Sequence, residues 1–385
     1  MTVSGARVLH LVKTGAGATW AVRLVREQVR AGFDVHVLVP DGPRSADYAE
    51  VGATVHCGSP DLFLSMPRVS WRSANQLRRI VHEVKPTLLH SHFVGSTILA
   101  RLALGRGGPA RVFQVPGPLH LERELTARAE LVCAHPHDHW IGSCEWTVRE
   151  YRRRGIDGGR VALAYYGTDI AHEPPPHTPG TLHHVINVPS SARLVGIVAY
   201  LYAPKRWLGQ SRGLKGHEDL IDAFDRIAAR HPDVHLVCIG GAWNGATAYE
   251  EAVRGYAMEK GAGRIHFTGT RSDVAALYQD LSVAVHPSHS ENVGGAAESL
   301  MLGIPTIATR VGGLVDLVKD PETGWLVPPK DPEALAHALR EALANSASAQ
   351  ARAERGRALA RRLLDIRHTA QQVTDAYRRF GLLRD

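Results

Sequence analysis

Short apolar runs alternate with amphipathic stretches along most of the chain. Arg7–Val12 is an apolar run closed by the turn Thr14-Gly15-Ala16-Gly17-Ala18-Thr19. Val22, Val25 and Val29 then recur at helical spacing, with Arg23, Arg26 and Arg30 on other faces, and Gly32 punctuates the end of that helix. Val35–Val39 reads as the next strand, stopped by Pro40, and Leu88–His90, Arg111–Val115 and Trp140–Gly142 read as further strands. From Glu173 to Pro189 the rhythm breaks. Pro174, Pro175, Pro176, Pro179, Gly180 and Pro189 suit neither a helix nor a central strand, so this stretch is a linker. The alternation then restarts with Leu194–Val198, followed by Leu220, Ile221, Phe224 and Ile227 at helical spacing. Val234–Ile239, Arg264–Phe267, Val283–His286 and Thr306–Ala308 give a second set of strands, and the Ala- and Arg-rich chain from about residue 332 onward is helical. Strands alternating with helices imply parallel, doubly wound sheets. The expectation is an α/β protein with two copies of one architecture.

Size agrees with that division, since 385 residues suit two domains. Hydrophobic residues make up 44% and charged residues 22%, the composition of an ordinary globular enzyme. No apolar run reaches the roughly 20 residues that a bilayer span needs, and Val8 to Val12 is too short for a signal-peptide core. A cytoplasmic location is expected. Cys57, Cys133, Cys144 and Cys238 are scattered, which points to reduced thiols rather than a disulfide frame or zinc site. The net charge of +7 is uneven: residues 1–190 carry 21 basic and 16 acidic side chains. A basic first half suits an anionic membrane surface, contacted peripherally at its inner face, or a phosphorylated acceptor, and equally a merely solvated arginine-rich surface. Nothing in the sequence suggests nucleic-acid binding.

Three places carry candidate chemistry. Gly15 and Gly17 follow the first strand, where a glycine turn entering a helix lets backbone amides approach a phosphate. Trp20 stands where a dinucleotide fingerprint needs its third glycine, so a nicotinamide cofactor is not indicated. A tight strand–helix turn would use the same glycines. Gly213-Leu214-Lys215-Gly216-His217 lies just before a helix start, and a lysine between glycines suits a diphosphate, with Lys205 and Arg206 nearby. The third place is His286-Pro287-Ser288-His289-Ser290-Glu291-Asn292-Val293-Gly294-Gly295-Ala296-Ala297-Glu298. Here a strand ends at Pro287 and a helix begins near Gly294, with Ser290 or Asn292 placed to cap it. Open α/β sheets bind ligands at the carboxyl ends of their strands. Two carboxylates and paired glycines at such a point suit a sugar or nucleotide, and a buried Glu298 would need partners of that kind.

These segments resemble the family-4 retaining glycosyltransferases of the GT-B fold. The resemblance runs from Arg7 to about Arg340 and is carried by SENVGGAAESLMLGIPTIATRVGGLVDLV, GLKGHEDLIDAF, HFTGTRSDVAALY and the ending Glu322 to Pro329. It implies two Rossmann-like domains facing a central cleft. Residues 1–185 would form the acceptor-side domain and 190–365 the donor-side domain, with a helix over 366–385 packing back toward the first. By the same resemblance, Glu298 holds the ribose hydroxyls, Glu291 the donor-sugar hydroxyls, and Lys215, with Lys205 in support, the diphosphate. Asn292, Val293, Gly294 and Gly295 offer amides to the sugar and phosphate, Gly269 and Thr270 line the base pocket, Gly15 and Gly17 face the diphosphate, and His120 lies beside the reacting sugar. The implied reaction transfers a sugar with retention from a nucleoside diphosphate, UDP before GDP, to a glycan, lipid-linked or small-molecule hydroxyl. The nucleotide-sugar is a substrate, and neither cofactor nor metal is implied. Two departures stand out. Six residues rather than seven separate Glu291 from Glu298, which puts Ser290 at the strictly spaced position. Ala199-Tyr200-Leu201-Tyr202 replaces the family's Gly-Arg-Leu, so Lys205 or Arg206 would have to stand in for the arginine. Another sugar-nucleotide enzyme (an epimerase or a sugar phosphorylase) and an inactive sugar-nucleotide-binding protein are the alternatives.

Overall fold

The computed structural model describes residues 5–62, 67–170, 176–206 and 209–383. Of the expected linker, Glu173, Pro174 and Pro175 lie outside the described residues. The chain forms two compact units, Met1–Ile170 with Leu363–Asp385, and Ala171–Arg362.

The first unit holds strands β1 (Arg7–Leu11), β2 (Asp34–Val39), β3 (Thr54–Cys57), β4 (Leu88–Ser91), β5 (Ala110–Gln114), β6 (Asp138–Gly142) and β7 (Val161–Leu163). Its helices are α1 (Thr19–Arg30), α2 (Ser45–Glu50), α3 (Pro67–Val84), α4 (Val94–Leu104), α5 (Glu124–Val132) and α6 (Glu145–Arg153). The seven strands are parallel, in the order β3-β2-β1-β4-β5-β6-β7. Central parallel strands are covered on both faces and so read as unbroken apolar runs. That is why β1 and β4 were legible, while β3 and β7, short strands at the two ends of the sheet, were not. Val8, Val37, Leu88, Val112 and Ile141 lie in the core of this sheet.

The second unit begins with α7 (Thr181–Val185) and β8 (Arg193–Val198). It continues through α8 (His217–Ala228), β9 (Val234–Ile239), α9 (Thr247–Met258), β10 (Ile265–Gly269), α10 (Val274–Tyr278) and β11 (Val283–His286). It closes with α11 (Gly294–Met301), β12 (Thr306–Thr309), α12 (Leu314–Leu317), β13 (Trp325–Val327), α13 (Pro332–Ala344) and α14 (Ser346–Leu364). Its six parallel strands run β10-β9-β8-β11-β12-β13. Both sheets therefore reverse their winding next to their first strand, at β1/β4 and at β8/β11. These are the switch points where α/β sheets open a crevice for ligands.

One boundary differs from the expected ones. Residues 177–185 do not extend the first domain, because the Asp280 carboxylate takes His177 and the backbone N–H groups of Gly180 and Leu182, tying α7 to the second unit. The last helix, α15 (Ile366–Arg379), belongs to the first unit. It buries Ala370, Val373, Ala376 and Tyr377 in that unit's core.

Candidate functional site

The carboxyl ends of β8, β9 and β10 and the start of α11 surround a cleft of about 310 Å³, within the size range of small-ligand sites. Val198, Ala199, Tyr200 and Tyr202 come from the end of β8, Ile239 and Gly240 from β9, and Thr270 and Arg271 from beyond β10. Gly295 and Glu298 contribute from α11, and Lys215 from the turn before α8.

The lysine turn is held by Gly216, which caps α8 in the left-handed region at φ +72°. A β-carbon there would come within 2.1 Å of the Pro287 carbonyl, so only glycine lets the turn pack against the end of β11. The His289 N–H also donates to the Leu214 carbonyl at 2.8 Å. Asp219, on the first turn of α8, pairs with the His289 ring and accepts from Arg212 at 2.6 Å. The lysine turn and the acidic segment are thus fastened together through backbone and side chain.

Lys215 is ion-paired with Glu291. Burial pulls the ammonium down in pKa, but the Glu291 carboxylate outweighs it, and the lysine stays above its ordinary value and fully charged. The Lys215 ammonium also lies 5.7 Å from the centre of the Tyr202 ring. A carboxylate against a lysine does electrostatically what a phosphate would do, so an anionic ligand entering the cleft would have to compete with Glu291 for this cation. The second Glu291 oxygen accepts from its neighbour's backbone N–H, that of Asn292, at 3.1 Å.

The expected side-chain cap on α11 is not formed. Val293 occupies the N-cap position, and neither Ser290 nor Asn292 caps the helix. The Asn292 backbone N–H is taken by Glu291, and its buried Oδ1 has no hydrogen-bond partner. Helix N–H groups without a side-chain cap suit an anion. Behind this turn, His286 donates to or accepts from Ser299 Oγ at 3.0 Å, and burial pushes its ring down to about 4. It is a packed, neutral wall beneath Gly295.

The sequence-derived residues divide into three groups. Lys215, Thr270, Gly295 and Glu298 line the cleft, and Glu291 joins them through its pair with Lys215. Glu298 is exposed at the cleft wall, on the open side of α11. Asn292, Val293 and Gly294 form the turn behind the lining, and Gly269 ends β10 beside Thr270. Lys205 does not line the cleft. It is exposed, with its backbone N–H held by Gln210 Oε1 at 2.8 Å. Arg206 is exposed as well, so neither stands in the cleft for the family's arginine.

Gly15, Gly17 and His120 belong to the first unit. Gly15 packs on the chain after β2, where a β-carbon would meet the Pro40 carbonyl at 2.4 Å, while Gly17 has open space around it. His120 is buried, donating from Nδ1 to the Gly117 carbonyl at 3.2 Å and accepting from the Tyr151 hydroxyl at Nε2, 3.0 Å away. Burial pushes it down to about 4, so it is neutral near pH 7.

The sequence reading missed the aromatic wall. Tyr200 and Tyr202 line the cleft, and both rings lie against Trp243 at 5.0 and 5.5 Å between centroids. Their signal was available in the departure from Gly-Arg-Leu, where two tyrosines replace the expected residues. Arg271, which closes the cleft beyond Thr270 and pairs with Asp273 at 2.7 Å, was also missed.

Comparison with known proteins gives the family and the fold. The family model for group 1 glycosyl transferases matches residues 208–359, and that for glycosyltransferase family 4 matches residues 17–172. A D-inositol 3-phosphate glycosyltransferase of Corynebacterium urealyticum is 30% identical over 231 residues, 57% of this chain and 51% of the relative. Its namesake in Mycolicibacterium gilvum is 31% identical over 204 residues, 51% of this chain and 42% of the relative. The chain spans about half the length of the curated relatives it matches. Among solved structures, Anabaena HepE in complex with UDP and glucose matches with a TM-score of 0.77 at 18% identity, covering 96% of this chain and 98% of that one. A sucrose-phosphate synthase from Thermosynechococcus elongatus matches with a TM-score of 0.77 at 21% identity, over 97% and 98%. At these identities the structures speak for the fold alone, which is that of the GT-B glycosyltransferases.

Proposed function

We propose that this chain, which belongs to the family-4 glycosyltransferases, moves a sugar from a nucleoside diphosphate, UDP foremost, to an acceptor hydroxyl. The observation that carries this reading is the cleft of the second unit, where Lys215 is charged, half-buried and matched to a carboxylate that an anionic ligand can replace.

In this reading the diphosphate takes Lys215 from Glu291 and meets the uncapped start of α11. Glycosyl transfer builds negative charge on the departing diphosphate, and preorganised donors lower that barrier most. Lys215 and the amides from Asn292 to Gly295 take that role, in place of a divalent cation. Glu298 on the open side of α11 suits the ribose hydroxyls, and the released Glu291 suits hydroxyls of the sugar. Transfer with retention by front-face attack needs no enzymatic nucleophile. For Gly15, Gly17 and His120 the support is the family resemblance. For Lys205, which lies outside the cleft lining, the support is only its charge and its closeness in sequence to the lysine turn.

The relatives' name and the basic excess of residues 1–190 support a phosphorylated polyol as acceptor, ahead of glycan, lipid-linked and other small-molecule acceptors. A peripheral membrane contact on the cytoplasmic face is supported by the same excess. Among the described residues no helix is long and apolar enough to cross a membrane.

The deciding experiment is calorimetric titration with UDP, GDP, TDP and ADP, repeated on Lys215→Ala and Glu298→Ala. One nucleotide should bind selectively, and both variants should weaken it by about tenfold or more, the loss of one charge-assisted interaction. Binding that is absent for all four nucleotides, or unchanged in both variants, would overturn the assignment of the cleft.

A further inference from the structure

The switch point of the first unit carries a cluster that the transfer reaction does not use. His10 on β1, His90 on β4 and His92 just beyond it are fully buried, and one ligand atom from each lies within 4.8 Å of the other two. The outward nitrogen of every ring is engaged. His10 Nε2 meets Gln28 Oε1 at 2.7 Å, and His90 Nδ1 meets the Tyr377 hydroxyl at 2.5 Å, which also accepts from Gln28 Nε2. His92 Nδ1 meets the Tyr166 hydroxyl at 3.1 Å, whose own proton goes to the Gln114 carbonyl. The inward nitrogens fare differently. His10 Nδ1 and His92 Nε2 face each other at 2.9 Å, and His90 Nε2 has no hydrogen-bond partner. The Gln114 side chain interacts with His90, although the buried Gln114 Oε1 makes no hydrogen bond of good geometry.

We propose that His10, His90 and His92 bind a divalent transition-metal ion of the zinc class inside the first unit. Imidazole nitrogens suit zinc, cobalt, nickel and copper, and outward hydrogen bonds from each ring are what orient metal-bound histidines. The three outward partners here are Gln28, Tyr377 and Tyr166, so each ring is already turned with its second nitrogen inward. Zinc–nitrogen bonds of about 2.0–2.1 Å in a tetrahedral set separate the nitrogens by about 3.3 Å. The His10–His92 approach therefore opens by a few tenths of an ångström, the wider pairs of the set, which lie within 4.8 Å, close toward the same spacing, and His90 Nε2 gains a well-directed partner. Gln114 Oε1 is a fourth donor of suitable chemistry. The role is structural: the ion joins β1 to β4 directly, and through Gln28 and Tyr377 it fixes α1 and α15 on the sheet.

The test uses the full, tag-free chain, stripped with a chelator and reloaded with cobalt(II). One cobalt per chain should survive gel filtration, with the intense visible bands of a four-coordinate ion, displaced by one equivalent of zinc(II). X-ray absorption on the zinc form should count three imidazoles. Loading should raise the thermal midpoint. Tyr377→Phe should weaken binding about 10- to 100-fold, the usual loss when an orienting partner goes, and His92→Asn should abolish retention while circular dichroism stays that of the folded chain. If either variant misfolds, the spectra of the unaltered chain decide. Substoichiometric cobalt, the weak bands of a six-coordinate surface ion, fewer than three imidazoles, or undiminished binding by folded His92→Asn would each overturn the site and leave a hydrogen-bonded histidine network.

Discussion

At the scale of single residues, the pair Lys215–Glu291 makes a prediction that separates competition from cooperation. In the free chain the carboxylate holds the ammonium. Replacing it in Glu291→Gln removes the competitor without removing the cation, so UDP alone should bind as tightly as before or more tightly, while sugar transfer slows. Calorimetry with UDP beside a turnover assay reads the two effects apart; weaker UDP binding would mean that Glu291 positions the lysine instead. The buried histidines set a pH dependence. Burial pushes His120, His217 and His286 each down to about 4, whereas the unfolded chain titrates near 6.5. Between those values the unfolded chain binds protons that the folded chain refuses, so stability falls as pH drops. The slope should approach roughly 1 kcal/mol per pH unit for each ring. Urea midpoints at pH 7.5, 6 and 5 check it, and a flat profile would mean that the rings are hydrated. Neither effect could be read from the sequence, which shows 22 histidines and no sign of which ones are dry.

Among elements, the strongest dependence is that of the lysine turn on its glycine. Gly216→Ala forces a side chain into the left-handed region and against the Pro287 carbonyl. A cost of about 1–3 kcal/mol is expected from the backbone alone, and the clash should displace Lys215. The variant should stay folded by circular dichroism yet lose most of its UDP affinity; unaltered affinity would show that the turn tolerates the shift. Long elements with a clear period were legible. The runs that became β9 and β11 carry their own bounds, because a strand buried on both faces must be apolar throughout. Three short strands, β3, β7 and β13, were not recognised as strands. Each has only three or four residues, too few to show a period, and each gains its identity from a neighbour already in the sheet.

For the whole molecule, every residue lining the 310 Å³ cleft comes from the second unit. A chain spanning 171–362 should therefore fold by itself and bind UDP within about tenfold of the full chain's affinity, a difference of roughly 1.4 kcal/mol. Calorimetry on that piece decides; a folded piece that binds nothing would show that the cleft is incomplete. The first unit should not survive the reciprocal cut at 362, since α15 supplies Val373, Ala376 and Tyr377 to its core.

Sequence by itself determined the architecture and picked out candidate residues that the structure places at the cleft. Period and punctuation are local properties, and they write out strand, turn and helix without knowledge of neighbours. Lys215 between its glycines and the acidic segment from Glu291 to Glu298 were legible for the same reason: each is a short string placed at a strand's end. What only the tertiary structure decided depends on residues far apart in the chain. Lys215 meets Glu291 across 76 positions, and Tyr377 reaches His90 across 287. Asp138 gathers Arg101 and Arg111 into a buried ion cluster in the same way. Such meetings are fixed by sheet order and helix docking, and the free energy of a buried charge or imidazole depends on what surrounds it rather than on what precedes it.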